Sequence, residues 1–446
     1  MGARSGSNYL TALKKLRAEI WLGGERVAEV NSHPALRECA RSIASLYDMQ
    51  MERVEQMTYR TDDGGRSGLS FIQPKSIDEL RRRSRMMAAW ANFSGGMMLQ
   101  TPDLVNVALA AMASARDFFA ASDSRYGDNI ANYYLEARKH DWCATLTTIG
   151  PGTRFEQAGD GIIVHGTGAS TPLAPFAEEL LVLPTSPMHP DTPAIAFAIP
   201  CNTQGVRFVF RDDDAARVTA PRSHFDAPLA SRFDVADCPV IFDEVVVPWQ
   251  RVFICGDRAR CDTLLDETGA RVHMLHQTAA KNLAKAEFIL GLAARIGAIE
   301  DKMNAPHIRT RLSDMVSAVE RIRVCLHDAE VEAAPNQSGI TTPARVPLEA
   351  ARGLLIQPLS VLMQLVQLIG WDLSSPPPRP AEASARERAS LQRLAWDALV
   401  SPFAKNQFEL ERGNHLDRLY AKSDSLDLGD LAPLVERIKD FIVRND

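Results

Sequence analysis

A Gly-Pro-Gly-Thr-Arg segment at residues 150–154 is the part of the sequence best suited to holding a ligand. Glycines let backbone N–H groups approach a flat or anionic ligand closely, and here a hydroxyl and a cation follow them. The predicted strand that leads into this turn, residues 143–149, is rich in threonine, leucine and isoleucine and carries no acidic or basic side chain. If that strand borders an active site, it lacks the group that would move a proton.

Common nucleotide and metal signatures are absent from the sequence. There is no GxGxxG after a strand and no GxxxxGK[ST], which argues against a Rossmann or P-loop nucleotide site. There is also no HExxH and no pair of CxxC motifs. His273 and His276 lie three residues apart on a predicted helix, a pattern more typical of solvated or core histidines than of metal ligands. Gly166 to Thr171, "GTGAST", is more typical of a loop than of a phosphate cradle.

The bulk composition is that of an ordinary soluble globular protein. The chain has 446 residues, 46% of them hydrophobic, and a formal net charge of −6, which gives no reason to expect nucleic acid or membrane as a partner. Its seven cysteines are scattered and never spaced as CxxC, which favours reduced thiols. Because no signal peptide is evident and the longest apolar run is broken by Arg295, we expect a cytoplasmic protein.

Hydrophobic periodicity divides the chain into three parts. Residues 1–141 are predicted to be mainly helical, with a Ser-x-x-Glu capping box at Ser76. Residues 142–265 alternate apolar and small residues between breaks, which predicts a domain of antiparallel strands. Residues 266–446 return to a helical period and predict a four-helix bundle, with long helices that include 346–372 and 386–411. The predicted class is therefore α+β.

The sequence resembles, almost end to end, the oxygenase component of the 4-hydroxyphenylacetate 3-hydroxylase family. That family comprises two-component flavin monooxygenases with an acyl-CoA dehydrogenase-like fold, in agreement with the helix, strand and helix order above. The stretches that carry the resemblance are "GSNYLTALKKLRAEIWLGGERVAEVNSHPALR", "LSFIQPKSIDEL", "TPDLVNVALAA", "PLAPFAEELLV", "HFDAPLASRFDVADCPVIFDEVVVPWQRVFICGD", "AKAEFILGLAARI" and "RLAWDALVSPFAKNQFEL".

The resemblance implies an FAD that lies between the strand domain and the bundle and is used as FADH2. It places the isoalloxazine and the phosphates beside the strand and turn from 147 to 154. Thr171 and the bundle segment 404–407 are implied to contact the flavin as well. The implied cofactor residues are Thr147, Thr148, Gly152, Thr153, Arg154, Thr171, Ala404, Lys405, Asn406 and Gln407.

The predicted substrate pocket departs from the family pattern. Phenol hydroxylases of the family use an arginine, a tyrosine and a histidine to bind the phenol oxygen and stabilise the phenolate. The matching positions here are Gln100, Leu104 and Leu146, and Thr185 is predicted to share the same pocket. Since Gln100 cannot stabilise an anion as an arginine does and two leucines make the pocket drier, the sequence predicts a neutral, more apolar substrate. The alternative is that the two leucines simply pack the core.

Three functions remain open on the sequence alone. The first is a monooxygenase that receives FADH2 from a separate flavin reductase, as a homodimer or homotetramer. The second is a lyase, isomerase or cyclase on the same scaffold with weak or no use of flavin, and the third is a binding protein without chemistry. Two loops are shorter than is usual in the family, one after the 150–154 turn and one at 371–390, which leaves flavin affinity and substrate size open.

Overall fold

A computed structural model describes residues 2–185, 188–220, 223–235, 237–380, 386–412 and 432–443. The N-terminal part is mainly helical, as predicted, with four short strands. Its helices are α1 (Gly6–Leu16), α2 (Arg37–Glu52), α3 (Val54–Met57), α4 (Ile77–Phe93), α5 (Asp103–Ser114), α6 (Arg116–Ala120) and α7 (Ser124–His140). Its strands are β1 (Ile20–Leu22), β2 (Glu25–Arg26), β3 (Thr58–Arg60) and β4 (Arg66–Gly68). The Ser76 cap forms as expected, since Ser76 Oγ accepts the backbone N–H of Glu79 at 3.2 Å. The Glu79 carboxylate accepts the N–H of Lys75 at 2.6 Å, one residue before the position that a capping box predicts.

The middle of the chain forms most of one ten-stranded sheet. Its strands are β5 (Ala144–Ile149), β6 (Arg154–Ala158), β7 (Gly161–Pro172), β8 (Glu179–Pro184), β9 (Ile195–Pro200), β10 (Val206–Val209), β11 (Asp237–Pro248) and β12 (Val252–Cys255). Two short helices, α8 (Asp212–Thr219) and α9 (Ala230–Phe233), interrupt the strands. The sheet order is β12-β9-β8-β5-β7-β11-β10-β1-β2, with β6 paired to β7.

The sheet is not purely antiparallel, so the predicted strand arrangement is wrong at two places. β5 pairs with β8 in parallel over its whole length, with Leu146 opposite Leu181, and β1 pairs with β10 in parallel. Both pairs join strands that are distant in sequence, which gives the chain the long crossover that parallel pairing needs. Local alternation predicts strands but carries no information about the direction of a distant partner.

The C-terminal part is a bundle organised around one long helix. Its helices are α10 (Arg258–Glu267), α11 (Ala270–Ile299), α12 (Pro306–Val331), α13 (Arg345–Leu354), α14 (Ile356–Ile369), α15 (Arg386–Leu399), α16 (Pro402–Arg412) and α17 (Ala432–Val443), and a small hairpin pairs β13 (Ala334–Pro335) with β14 (Thr341–Thr342). Helices α12, α13, α14 and α17 pack against α11. The stretch 345–369 is long and apolar enough to cross a membrane, but it packs against α11 and α12 as part of this bundle.

Two predicted long helices are each divided in two. The break at Leu355 comes three residues before Pro358, whose missing N–H leaves the carbonyl of Leu354 without its helical partner. The second break precedes Pro402, at the start of α16. The division into domains at 1–141, 142–265 and 266–446 remains our proposal, and α10 crosses its second limit.

Candidate active site

The central strand β5 presents one open and one buried face. Leu146 and Thr148 are half-buried on one face, whereas Thr145 and Thr147 are fully buried on the other. The Thr147 hydroxyl donates to the carbonyl oxygen of Ala169 at 2.9 Å, so its proton is already used in a hydrogen bond to the neighbouring strand β7. The face that a flat ligand could cover is therefore that of Leu146 and Thr148.

Thr171 lies close to Thr147 because of an irregularity in β7. The pairing with β11 shifts register between Gly168 and Thr171, which adds one residue to β7 as a β-bulge. The Thr171 hydroxyl is buried and donates at 2.8 Å to Ala169 O, the acceptor that Thr147 also uses. The structure thus brings these two predicted cofactor residues together and turns both toward the sheet interior. Their contact with a flavin stays a prediction.

The turn at 150–154 is open and carries a cation. Gly152 has φ +93°, and no atom lies within 4 Å of where a Cβ would stand on Gly150 or Gly152. Arg154 is exposed, and the Thr153 hydroxyl anchors the turn by donating to Thr167 O at 3.0 Å. Backbone N–H groups and a guanidinium beside empty space suit an anionic ligand, and the diphosphate of FAD is of this kind.

Thr185 joins the strand group at the end of β8. Its backbone N–H donates to the carbonyl of Ile149 at 3.2 Å, which places it directly beside the point where β5 enters the 150–154 turn. The side chain of Thr185 is half-buried. This predicted pocket residue therefore lies at the same end of the sheet as the open turn.

Gln100 lies in the loop between α4 and α5, which packs on α11. The loop approaches α11 closely at Gly96, where a Cβ would stand 2.7 Å from the Cβ of Lys285. The Lys281 ammonium donates to the carbonyl of Leu99 at 3.3 Å. Gln100 itself is 5% exposed, and its Nε2 has no hydrogen-bond partner among the residues that the structure describes. It is a buried donor beside the start of α5.

The same loop holds the predicted bundle segment. Gln407 donates through Nε2 to the carbonyl of Met97 at 2.7 Å, and its Oε1 accepts Lys285 Nζ at 3.1 Å. Ala404 is buried, Lys405 exposed and Asn406 half-buried. Gln407 is thus tied to the loop that carries Gln100, while the cofactor contacts of the other three residues stay predictions.

Helix α5 connects the strand group with the loop group. It packs against α11, α7 and β5, and Leu104 is half-buried in its first turn. Leu146 is half-buried on β5. Leu146 packs against the hydrophobic core, and both leucines keep part of their surface exposed, so core packing and a lining role are both compatible with the structure. That Gln100, Leu104 and Leu146 line one hollow remains a proposal.

Sequence reasoning missed a buried polar group under the start of α5. The Gln277 amide donates to Thr101 Oγ1 at 3.2 Å and to both carboxylate oxygens of Asp103 at 3.3 Å, and Thr101 also donates to Asp103. Burial raises the pKa of Asp103 to about 6. The sequence does carry a signal for this polar group, because polar residues recur at every fourth position of α11. They are His273, Gln277, Lys281 and Lys285, and all four are buried.

The two histidines of α11 have separate partners. Arg83, fully buried on α4, donates to Nδ1 of His273 at 2.6 Å, and burial lowers the pKa of Arg83 to about 10. His276 lies 3.1 Å from Glu330 through its Nε2. The described residues contain no group of three or more histidine, cysteine or carboxylate side chains that could hold a metal ion.

Comparison with known proteins identifies the family. The family model described as 4-hydroxyphenylacetate 3-hydroxylase N terminal matches residues 5–154 and 155–254, and the C-terminal model of the same family matches residues 261–370. The chain belongs to the 4-hydroxyphenylacetate 3-hydroxylase family. The family predicted from the sequence is confirmed, and so is its acyl-CoA dehydrogenase-like α+β fold.

Individual members of the 4-hydroxyphenylacetate 3-hydroxylase family align over nearly the whole chain. The 4-hydroxyphenylacetate 3-monooxygenase oxygenase component of Geobacillus sp. is 35% identical over 92% of this chain and 90% of its own. The Thermus thermophilus protein of the same name is 31% identical over 99% and 97%. A crystal structure of an oxygenase component complexed with FAD and 4-hydroxyphenylacetate superposes with a TM-score of 0.84, at 31% identity over 98% of this chain and 95% of that one.

Proposed function

We propose that this protein is the oxygenase component of a two-component monooxygenase, which uses FADH2 and O2 to oxygenate a neutral, largely apolar substrate. The monooxygenase class and the FAD cofactor rest on the family: its relatives are named as monooxygenase oxygenase components, and related structures contain FAD. When bound, FADH2 supplies the reduction of O2 that makes one oxygen atom transferable. The choice of substrate rests on this chain's own residues.

The single observation that carries the neutral substrate is the loss of every ionisable group at the three phenol-binding positions. Gln100 offers a buried amide donor, and Leu104 and Leu146 offer apolar surface. A phenolate would leave water for a site with no cation or imidazole at these positions, and burying an unpaired anion costs several kcal/mol. A neutral substrate avoids that cost, provided that it is electron-rich without ionising, as an indole, an alkene or an aromatic amine is.

The strand and turn around 146–154 suit FAD by their chemistry. The open backbone of Gly152 and the exposed Arg154 would hold the diphosphate, and the half-buried face of Thr148 and Leu146 would support the ring. Buried surroundings exclude water from a bound reduced flavin, which limits the wasteful release of hydrogen peroxide.

Two kinds of partner are proposed: a flavin reductase and further copies of this chain. The sequence has no dinucleotide-binding fingerprint, so we propose that a separate flavin reductase provides FADH2. We also propose a homo-oligomer, because several large apolar side chains on the bundle surface are exposed in the single chain. A lyase, isomerase or cyclase is not favoured, since the relatives are named as monooxygenases.

Oxygen-isotope transfer tests the proposal directly. The purified protein would be supplied with FADH2 by a separate reductase under 18O2, with indole, styrene and N,N-dimethylaniline as neutral substrates. Phenol and 4-hydroxyphenylacetate would serve as ionisable comparisons. We expect 18O in a product of a neutral substrate at a rate at least tenfold above that for either phenol. Faster oxygenation of the phenols would overturn the neutral-substrate proposal, and failure to take up FAD in a titration would overturn the flavin-dependent function itself.

A further inference from the structure

A hollow that none of the predicted site residues lines lies between the strand domain and the bundle. It has a volume of about 710 Å³ and is partly open to solvent. Its lining comes from α8, from the segment before α9, from a triple-proline loop at 376–378, and from α15 and the start of α16. This volume falls within the range of small-molecule sites.

The walls of the hollow are mainly apolar and flat. Trp396 and Phe403 contribute aromatic surface, and the three consecutive prolines contribute ring faces. Helix α8 contributes Ala216 and Ala220 at a spacing of four residues, and no large side chain projects from these two positions. Planar walls of this kind favour an aromatic ligand over a branched aliphatic one.

Two carboxylates that line the hollow are paired inside the protein. Asp226 accepts Arg393 Nη1 at 2.6 Å and also pairs with Arg379, which fastens the proline loop to the strand domain. The Asp397 carboxylate accepts the backbone N–H groups of Leu229 at 2.8 Å and of Ala230 at 2.9 Å. A ligand that brought its own charge would find no spare counter-ion at these two carboxylates.

Both arginines of the lining are paired inside the protein. Arg393 is 5% exposed and donates to Asp226, and its guanidinium lies 4.9 Å from the ring centre of Phe225. Arg217 pairs with Asp214 and Asp234. A charged ligand would therefore find no free cation at these two arginines, which favours a neutral compound.

From these contacts we infer that the hollow is a small-molecule site, distinct from the candidate active site, for a neutral, flat aromatic compound. Phe403 directly precedes the bundle segment 404–407, so an occupant would touch the helix whose Gln407 holds the Gln100 loop. The site is thereby placed to sense or influence that loop.

Binding of a matched pair of dyes tests the inference. Prodan is a neutral naphthalene with a ketone, and 6-(dimethylamino)-2-naphthoate is its anionic counterpart; the emission of both would be followed during titration of the full chain. We expect saturable binding of one Prodan per chain, at least tenfold tighter than that of the naphthoate. Equal affinity for the two dyes, or no saturable Prodan binding, would overturn the inference.

Variants locate the bound dye. Ala216→Trp and Ala220→Trp each fill the hollow from an exposed position of α8 and should weaken Prodan binding at least tenfold, whereas Thr219→Trp, on the same helix but outside the lining, should change it less than twofold. Leu104→Trp, in the candidate active site, should leave it unchanged. Loss of binding in Thr219→Trp or Leu104→Trp, or retention in both alanine variants, would overturn the second site. FAD uptake and 18O transfer are separate measurements, so failure here is distinguishable from failure of the proposed oxygenase function.

Discussion

At the scale of single residues, our proposal assigns the choice of substrate to three side chains that present no charge. Gln100 can donate and accept a hydrogen bond, but Leu104 and Leu146 can do neither. Restoring ionisable groups should therefore reverse the preference. We expect the triple variant Gln100→Arg, Leu104→Tyr and Leu146→His to raise kcat/KM for 4-hydroxyphenylacetate at least tenfold and to lower that for the best neutral substrate, as measured by product formation with supplied FADH2.

A matched uncharged variant controls for disturbed packing in that experiment. Gln100→Met with Leu104→Met and Leu146→Met changes all three positions without adding an ionisable group. It should not gain activity toward 4-hydroxyphenylacetate. Equal gains in the two triple variants would mean that pocket shape, and not charge, controls the choice of substrate.

Asp103 should give the protein a recognisable pH dependence. Burial raises its pKa to about 6 in the folded protein, against about 4 in an unfolded chain. The folded state then holds the proton more tightly, so the free energy of unfolding gains a contribution as pH falls through 6 and loses it as pH rises. Between pH 7 and pH 5, wild type should gain about 1 kcal/mol relative to Asp103→Asn in urea unfolding. The same pH dependence in both proteins would contradict this role.

At the scale of elements, the site depends on how closely the loop before α5 approaches α11. Gly96 has φ +71°, and an added Cβ would stand 2.7 Å from both the backbone N and the Cβ of Lys285. Neither atom is the end of a flexible chain, so the loop would have to move. Gly96→Ala should lower the free energy of unfolding by about 3 kcal/mol or more and weaken FAD binding, because the loop carries Gln100 and binds Gln407.

Gly370 provides the control for Gly96. It also has a positive φ, +87°, but no atom lies within 4 Å of the position of an added Cβ. Gly370→Ala should therefore lower the free energy of unfolding by only about 1–2 kcal/mol, the cost of a positive φ for a residue with a Cβ, and should leave FAD binding unchanged. Similar losses in both variants, measured by denaturant unfolding and FAD titration, would show that close packing at Gly96 does not matter.

Local sequence predicted the elements well and their long-range arrangement less well. The Ser76 cap and most helices follow from near neighbours in the sequence. The parallel pairing of β5 with β8 and the bulge that brings Thr171 to Thr147 depend on partners far along the chain. The role of Asp103 was missed for the same reason, since its partner Gln277 lies 174 residues away.

At the scale of the whole molecule, the bundle surface exposes apolar side chains that a second copy could cover. Val346, at the start of α13, is 77% exposed, and Val324 on α12 is 53% exposed. Val331 lies two helical turns beyond Val324 on α12, and α12 packs against α13, the helix that carries Val346. Soluble single chains rarely leave such groups uncovered together.

We therefore expect the protein to be a homo-oligomer whose interface includes α12 and α13. Charges placed there would have to be buried unpaired, so Val324→Glu with Val346→Glu should shift the wild-type dimer or tetramer to a smaller species in sedimentation velocity at micromolar concentration. Val246→Glu changes an equally exposed valine on strand β11 and should leave the assembly intact. A monomeric wild type would contradict the proposed oligomer. Dissociation by Val246→Glu alone would show that the interface lies on the sheet and not on the bundle.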